Sequence, residues 1–376
     1  MTDTLQSQFA SHFGGEGTLY AAPGRINLIG EHTDYNGGFV LPAAIDKRIY
    51  AIVRPNHTLR VNMLAADLQK QCSFNIDDPN GPTETDFRYV FGTVRELIAA
   101  GVPVEGFDAA YCGDIPLGAG LSSSAALECC FANALNDMFG NATLDRMALA
   151  RVGQAAEHHY VGVKCGIMDQ FASMFGKANM FMRLDCRSGE YSYHPWRTDD
   201  YRLVLINSCV KHELVGSPYN DRRASCERVA ALAGIESLRD CTWDMLHSLK
   251  DRISPEDFRR ARYVIGEADR VMTVCQALEH DDFATIGKQM YLTHDGLRDD
   301  YEVSCPEIDF LVDEARTSGV TGSRIMGGGF GGCTINLVHK DILERFVACV
   351  QESYLKRFGV ACQPINVAIG DGARKL

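Results

Sequence analysis

Leu5, Phe9 and Phe13 recur every four residues at the head of the chain, which predicts a helix within residues 1–16. A strand-like entry, Thr18–Ala22, leads into APGRINLIGEHTDYNGGFVLPAAI. This second stretch is dense in turn formers (Pro23, Gly24, Gly30, Asn36, Gly37, Gly38) and interleaves them with Arg, Asn, Glu, His and Asp. Loops of that mixture are more often binding surface than packing. Strand-like runs follow at Ile49–Val53, Leu59–Asn62 and Gln71–Ile76, then a helix over Tyr89–Ala100 stopped by Gly101. Phe107–Cys112 reads as a strand running into PLGAGLSSSAAL, Pro116–Leu127. The small apolar residues after it, Ala125 to Leu135, predict a buried helix ending near Gly140.

Leu144–Val161 has the pattern of an amphipathic helix, and GVKCGIMDQFASMFG after it reads as irregular. Met180–Asp185 and Tyr201–Asn207 read as strands. Near residue 200 the pattern turns into long charged helices, about Tyr219–Ala233, Pro255–Leu278 and Asp282–Leu292. A helix over Glu307–Arg316, the loop GGGFGG at Gly327–Gly332, a strand Thr334–Val338, a helix Ile342–Phe358 and a strand Ile365–Ile369 close the chain. Strands and helices alternate without a strict βαβ rhythm, which predicts an α+β fold in two domains, residues 1–200 and 201–376.

Composition narrows the function classes. At 46% hydrophobic and 23% charged residues the chain is ordinary globular protein. A formal net charge of −12 argues against nucleic-acid and anionic-membrane partners, which want a basic face. A bound polyanion must therefore be held by local N–H groups and a cation, not by the overall field. The 14 cysteines form no CxxC pair, so they read as reduced core residues and not as a zinc site or a disulfide framework. The first residues carry no basic-then-apolar signal pattern, and no apolar run approaches the ~20 residues of a membrane span. A cytoplasmic monomer is the expectation.

PLGAGLSSSAAL combines two glycines, whose backbone tolerates φ > 0 and close approach, with a following helix N-terminus. The unpaired N–H groups and positive dipole end there suit a phosphate. A glycine-rich turn with a serine cap reads equally well from the loop by itself. A Walker A loop requires a lysine beside the Ser/Thr, and none lies between Lys70 and Lys164. GGGFGG matches a dinucleotide fingerprint literally but runs into an alternating strand, Cys333-Thr334-Ile335-Asn336-Leu337, where that fingerprint needs a helix.

Taken together, these segments carry a resemblance that spans nearly the whole chain. PLGAGLSSSAAL resembles the nucleotide loop of the GHMP small-molecule kinases, and GGGFGG resembles that family's C-terminal glycine motif. GRINLIGEHTDY, Gly24–Tyr35, is similar to the signature of the family's galactokinase branch. The first and last motifs are shared with mevalonate and homoserine kinases, whereas GEHTDY is selective. The three occur in family order with no departure from the pattern.

The resemblance implies a ribosomal-protein-S5-domain-2-like N-terminal domain, a ferredoxin-like C-terminal domain and a site between them. It implies ATP on Gly118, Ala119, Gly120, Leu121, Ser122, Ser123 and Ser124, with Mg²⁺ on Ser124 and Glu157. It assigns Glu31, His32, Thr33, Asp34, Gly166 and Tyr219 to a hexose, and Asp169 with Arg25 to catalysis of transfer from MgATP to the anomeric hydroxyl of galactose. An ordinary Asp, with a pKa of about 3.9, is several units too weak to ionise a sugar hydroxyl first, at ~1.4 kcal/mol per unit. Asp169 is therefore expected to orient the nucleophile and take its proton late, with Arg25 keeping it ionised. Asn27 reads as a backbone brace, His158 and His159 as ordinary helix residues. A kinase of another sugar, such as N-acetylgalactosamine or arabinose, and a non-catalytic sugar-and-ATP sensor are the alternatives.

Overall fold

The structure is a computed structural model that describes residues 1–116, 118–210 and 218–376. Its first half is built on a six-stranded mixed sheet in the spatial order Arg374–Lys375, Thr18–Asn27, Pro42–Pro55, Phe107–Gly113, Arg60–Ala65, Lys70–Asn75. The helices Thr85–Ala99, Ser123–Phe139 and Arg146–Ala156 cover one face, where Phe87, Phe91, Phe107 and Phe131 close an apolar core. The N-terminal helix, Thr2–Phe13, covers part of the opposite face through Leu5 and Phe9. That pairing of faces follows from the four-residue recurrence of its apolar positions.

The second half holds a four-stranded antiparallel sheet in the order Gly322–Ile325, Cys333–His339, Tyr201–Asn207, Gln363–Asn366. In chain order that is second, third, first, fourth, the ferredoxin-like arrangement that the family resemblance implies. The helices Pro218–Ala233, Pro255–Glu279, Phe283–Asp299, Pro306–Thr317 and Lys340–Phe358 accompany it. Ser254 caps the longest of these by accepting from the Asp257 N–H at 3.0 Å, with Pro255 at its first position.

A third apolar cluster crosses between the halves. Ile26, Leu28 and Leu41 from the first pack with Val271, Ile286 and Met326 from the second. The strand carrying Arg25 therefore ends at the junction. The chain end also crosses back, since Arg374 and Lys375 pair with Ala21 and Tyr20.

Most expected elements occur with shifted ends, and the departures have local causes. The strand expected to stop at Ala22 runs to Asn27, because a register irregularity between Pro23 and Arg25 absorbs the Pro-Gly step. Leu144–Val161 is not one uniform helix: Arg146–Ala156 passes into a wide π turn, Glu157–Val161, closed by Gly162 at φ 86°. The stretch read as irregular holds the short helix Met168–Phe175, whose flanking glycines hide it from a periodicity reading. The strands Tyr191–Pro195 and Gly322–Ile325 were not anticipated at all.

Candidate active site

Arg25 lies just past the irregularity in its strand and reaches the start of the helix Met168–Phe175. Its guanidinium pairs two-point with Asp169, Nε to Oδ1 at 2.7 Å and Nη2 to Oδ2 at 3.1 Å. Nη1 donates to the Gly120 carbonyl at 2.6 Å, so one side chain ties the carboxylate to the glycine-serine loop. Burial opposes the charge on Arg25, but Asp169, Glu31 and Asp34 outweigh it and the net shift is upward. The loop can come this close because Gly24 has no side chain. A Cβ there would stand 2.6 Å from the Leu121 carbonyl, which accepts from the Arg25 N–H at 3.1 Å.

Gly118 and Gly120 take φ of 72° and 71°. Ser122 follows at φ 59°, a strained value for a residue with a side chain, and its Oγ donates to Asp169 Oδ2 at 2.6 Å. The Asp169 carboxylate is thus gripped from two sides. At Ser123 the helix Ser123–Phe139 begins, its first N–H groups without a side-chain cap and its first two serines lining the cleft. Ser124 Oγ donates to Glu157 Oε1 at 2.9 Å. Burial and then Asp169 push Glu157 up to about 7, against the opposing hydrogen bonds of Ser124 and Cys165.

Across the cleft stand the signature side chains. Asp34 accepts from the Tyr35 N–H at 2.9 Å, and burial followed by Asp169 raises it to about 7. Gly166 lies directly against that carboxylate, where a Cβ would come within 1.9 Å of Oδ2. His32 Nδ1 is 2.9 Å from the Tyr35 hydroxyl. Burial, followed by the Arg222 charge, holds the ring down at about 3, opposed by the Gly328 carbonyl. Tyr219 packs with its ring centroid 5.4 Å from that of His32.

Glu31 is fixed from the other half of the molecule. Its Oε1 accepts from Arg324 Nη1 at 3.0 Å and from the Gly327 N–H at 2.9 Å. Arg324 is fully buried and also donates to the carbonyls of Leu28 and Asn27. Glu267, equally buried, accepts from the Gly30 N–H at 2.8 Å. Sequence reading missed both residues. A lone arginine in GSRI, an otherwise uncharged strand, next to a glycine motif, was the available signal for Arg324.

One cleft is lined by Arg25, Glu31, His32, Asp34, Gly118, Gly120, Leu121, Ser122, Ser123, Ser124, Glu157, Gly166, Asp169 and Tyr219. Two expected residues stand apart from it. Thr33 is buried and its hydroxyl is directed at the carbonyls of Gly30 and Phe39, at 2.9 and 2.6 Å, so its side chain braces the signature loop. The Ala119 methyl points into the apolar cluster between the halves. Asn27 braces as expected, accepting from the Leu41 N–H at 3.2 Å. His158 Nε2 meets the Cys165 carbonyl and His159 pairs with Glu96, so neither enters the cleft. Among the described residues no three His, Cys, Asp or Glu side chains cluster as a metal site, and no helix is long and apolar enough to cross a membrane.

Residues 7–55 match the galactokinase galactose-binding signature, 88–177 the GHMP kinase N-terminal domain and 275–356 the GHMP kinase C-terminal domain. The galactokinase of Chloroflexus aurantiacus is 39% identical over 98% of this chain and 96% of its own length. That of Bos taurus is 40% identical over 98% of this chain and 95% of its own. The chain belongs to the galactokinase family. A crystal structure of Lactococcus lactis galactokinase complexed with galactose superposes with a TM-score of 0.94 at 34% identity, covering 100% of both chains. Methanococcus jannaschii mevalonate kinase, at 18% identity and a TM-score of 0.67, shares the fold alone. The galactokinase signature thus covers the strand and loop that present Arg25, Glu31, His32 and Asp34, and the GHMP N-terminal domain covers Ser122, Glu157 and Asp169.

Proposed function

We infer that this chain transfers the γ-phosphoryl group of ATP to the anomeric hydroxyl of α-D-galactose, giving ADP and galactose 1-phosphate, the entry step of galactose breakdown. The observation that carries this reading is the doubly held Asp169 carboxylate, set between the glycine-serine loop and the sugar signature.

Glu31, His32, Asp34 and Tyr219, with the Gly166 backbone, bind the hexose. A site that hydrogen-bonds a particular hydroxyl rejects the epimer that leaves its buried groups unpaired, which favours galactose over glucose. ATP lies along Gly118–Ser124, where backbone N–H groups hold the phosphates. Asp169 accepts a hydrogen bond from the anomeric hydroxyl and takes its proton as the phosphorus–oxygen bond forms. Phosphoryl transfer through a loose transition state needs alignment and charge stabilisation more than a strong base. Arg25 keeps Asp169 ionised and steadies charge on the moving group.

The residues present fit Mg²⁺. Ser124 and Glu157 offer hard oxygen donors 2.9 Å apart, and a carboxyl that burial has pushed up to about 7 regains its charge beside a cation. Bound there with the triphosphate, the ion supplies neutralisation of phosphate charge. The working unit is read as a monomer. It operates in the cytoplasm, where its 14 free thiols remain reduced. The two domains are residues 1–200 and 201–376, with the chain end returning to the first.

A coupled ADP-release assay across monosaccharides tests this reading. Galactose should give the highest kcat/KM. Preference for N-acetylgalactosamine or arabinose would reassign the substrate, and sugar binding without turnover would make the protein a sensor.

A further inference from the structure

His32 presents a ring nitrogen whose role the cleft leaves open. Nε2 is buried and makes no hydrogen bond of full geometry among the described residues, the ring lines the cleft, and the Gly328 carbonyl bears on the same ring. The ring is neutral at working pH, held down by burial and by Arg222. In a neutral imidazole one nitrogen donates and the other accepts, and the partner at Nδ1 decides which. That partner is the Tyr35 hydroxyl at 2.9 Å.

The Tyr35 hydroxyl is itself held in place. Its hydroxyl lies 2.8 Å from that of Tyr301, which in turn lies 3.3 Å from Cys226 Sγ. Tyr301 is fully buried, and its main chain is fixed at both polar groups. Its N–H donates to the Gly296 carbonyl at 2.9 Å, and its carbonyl accepts from Arg222 Nε at 2.9 Å. Its ring centroid is 4.9 Å from those of both His32 and Tyr263. Tyr263 in turn donates to the Glu31 carbonyl at 3.0 Å. A chain of hydroxyls therefore runs from a thiol in the second half of the sequence to the histidine of the sugar signature in the first.

We propose that Tyr301 is a positioning residue for hexose recognition: acting through Tyr35, it fixes the orientation of the His32 ring so that Nε2 meets a sugar hydroxyl. The proposal rests on the reading of His32 as a sugar contact. Removing the Tyr301 hydroxyl leaves Tyr35 without that anchor, and the His32 ring loses its fixed orientation toward the sugar.

The test is Tyr301→Phe, which keeps the ring and its packing. The galactose KM should rise roughly three- to tenfold, the loss expected for one relayed neutral hydrogen bond. The ATP KM should stay within about twofold by the same reasoning. In the ligand-free protein the ¹⁵N shifts of the His32 ring should move as its orientation becomes mixed. Tyr35→Phe cuts the same chain one bond nearer the ring and should do at least as much; it decides the matter should Tyr301→Phe fail to fold. Unchanged galactose KM in folded variants overturns the proposal, whether or not the ¹⁵N shifts move. So does a parallel rise of both KM values with a lowered Tm, which would mean general loosening. Absence of galactose-dependent ADP release from the unaltered protein is a different failure, that of the kinase reading itself.

Discussion

Arg25 and Asp169, 144 positions apart in sequence, meet edge to edge through two N–H···O bonds of 2.7 and 3.1 Å. The third contact of that guanidinium, with the Gly120 carbonyl, makes the carboxylate and the nucleotide loop one rigid unit. A carboxylate oriented in advance needs little reorganisation at the moment of transfer.

Replacing Asp169 separates that role from binding. Asp169→Asn keeps the shape but cannot take a proton, and its amide N–H₂ would oppose the N–H donors of Arg25. We expect kcat to fall by about 10² to 10⁴, the usual range for loss of a proton acceptor. Galactose and nucleotide binding should remain measurable by calorimetry. Turnover within a few-fold of the unaltered protein would remove Asp169 from the chemistry.

Arg25→Lys tests the geometry of the pair. A lysine supplies one point charge where the guanidinium reaches Asp169 twice and Gly120 once. A loss of kcat approaching that of Asp169→Asn is expected in steady-state assays, with Tm little changed. A mild loss would mean that charge alone, without the fork, is sufficient.

Gly166→Ala addresses the sugar side. The added methyl would stand 1.9 Å from Asp34 Oδ2, far inside contact distance, so the carboxylate or the loop must move. The galactose KM should rise by an order of magnitude or more while the ATP KM changes little. Equal changes in both would place Asp34 outside the hexose pocket.

Much of this was readable in the sequence because the chemistry is concentrated in short segments. Gly24–Tyr35 and Pro116–Leu127 carry more than half of the residues that line the cleft, and each combines glycines with hydrogen-bonding side chains in a pattern that packing alone does not call for. The partners that hold those segments were not readable. Arg324 in a strand, Glu267 in a helix and Tyr301 in the bend after a helix are ordinary letters where they stand, and only folding brings them 237 to 297 positions back to the signature. Thr33 shows the converse. It sits inside the signature, yet its hydroxyl is consumed by Gly30 and Phe39, a geometry that no local pattern reveals.

The buried pair Arg324–Glu31 gives a stability test. Arg324→Met leaves the Glu31 carboxylate without its cation and the Leu28 and Asn27 carbonyls without a donor. Breaking one partner of a buried pair costs about 3–5 kcal/mol. Adding Glu31→Gln should return part of that loss in urea unfolding, because the stranded charge is gone, without restoring galactose affinity. Additive losses in the double variant would mean that the two side chains are not coupled.

Protonation gives the last test. Asp34 and Glu157 are carboxyls whose burial, reinforced by Asp169, raises them to about 7 from ordinary values of 3.8 and 4.5. Between those limits the folded protein keeps protons that the unfolded chain releases, so the native state binds more protons and stability falls as pH rises. For these two groups the contribution is fully present below the unfolded values. It is lost as pH climbs through about 7, beyond which it is flat. The Tm of the ligand-free protein should therefore decline from about pH 5 to about pH 8. MgATP reverses part of this, since a cation beside Glu157 favours its ionised form. Titration at about pH 6, in two buffers of different ionisation enthalpy, should show net proton release on MgATP binding. The release should shrink without Mg²⁺ and in Glu157→Gln. Proton uptake instead, or release that is unchanged in Glu157→Gln, would mean that Glu157 does not face the metal.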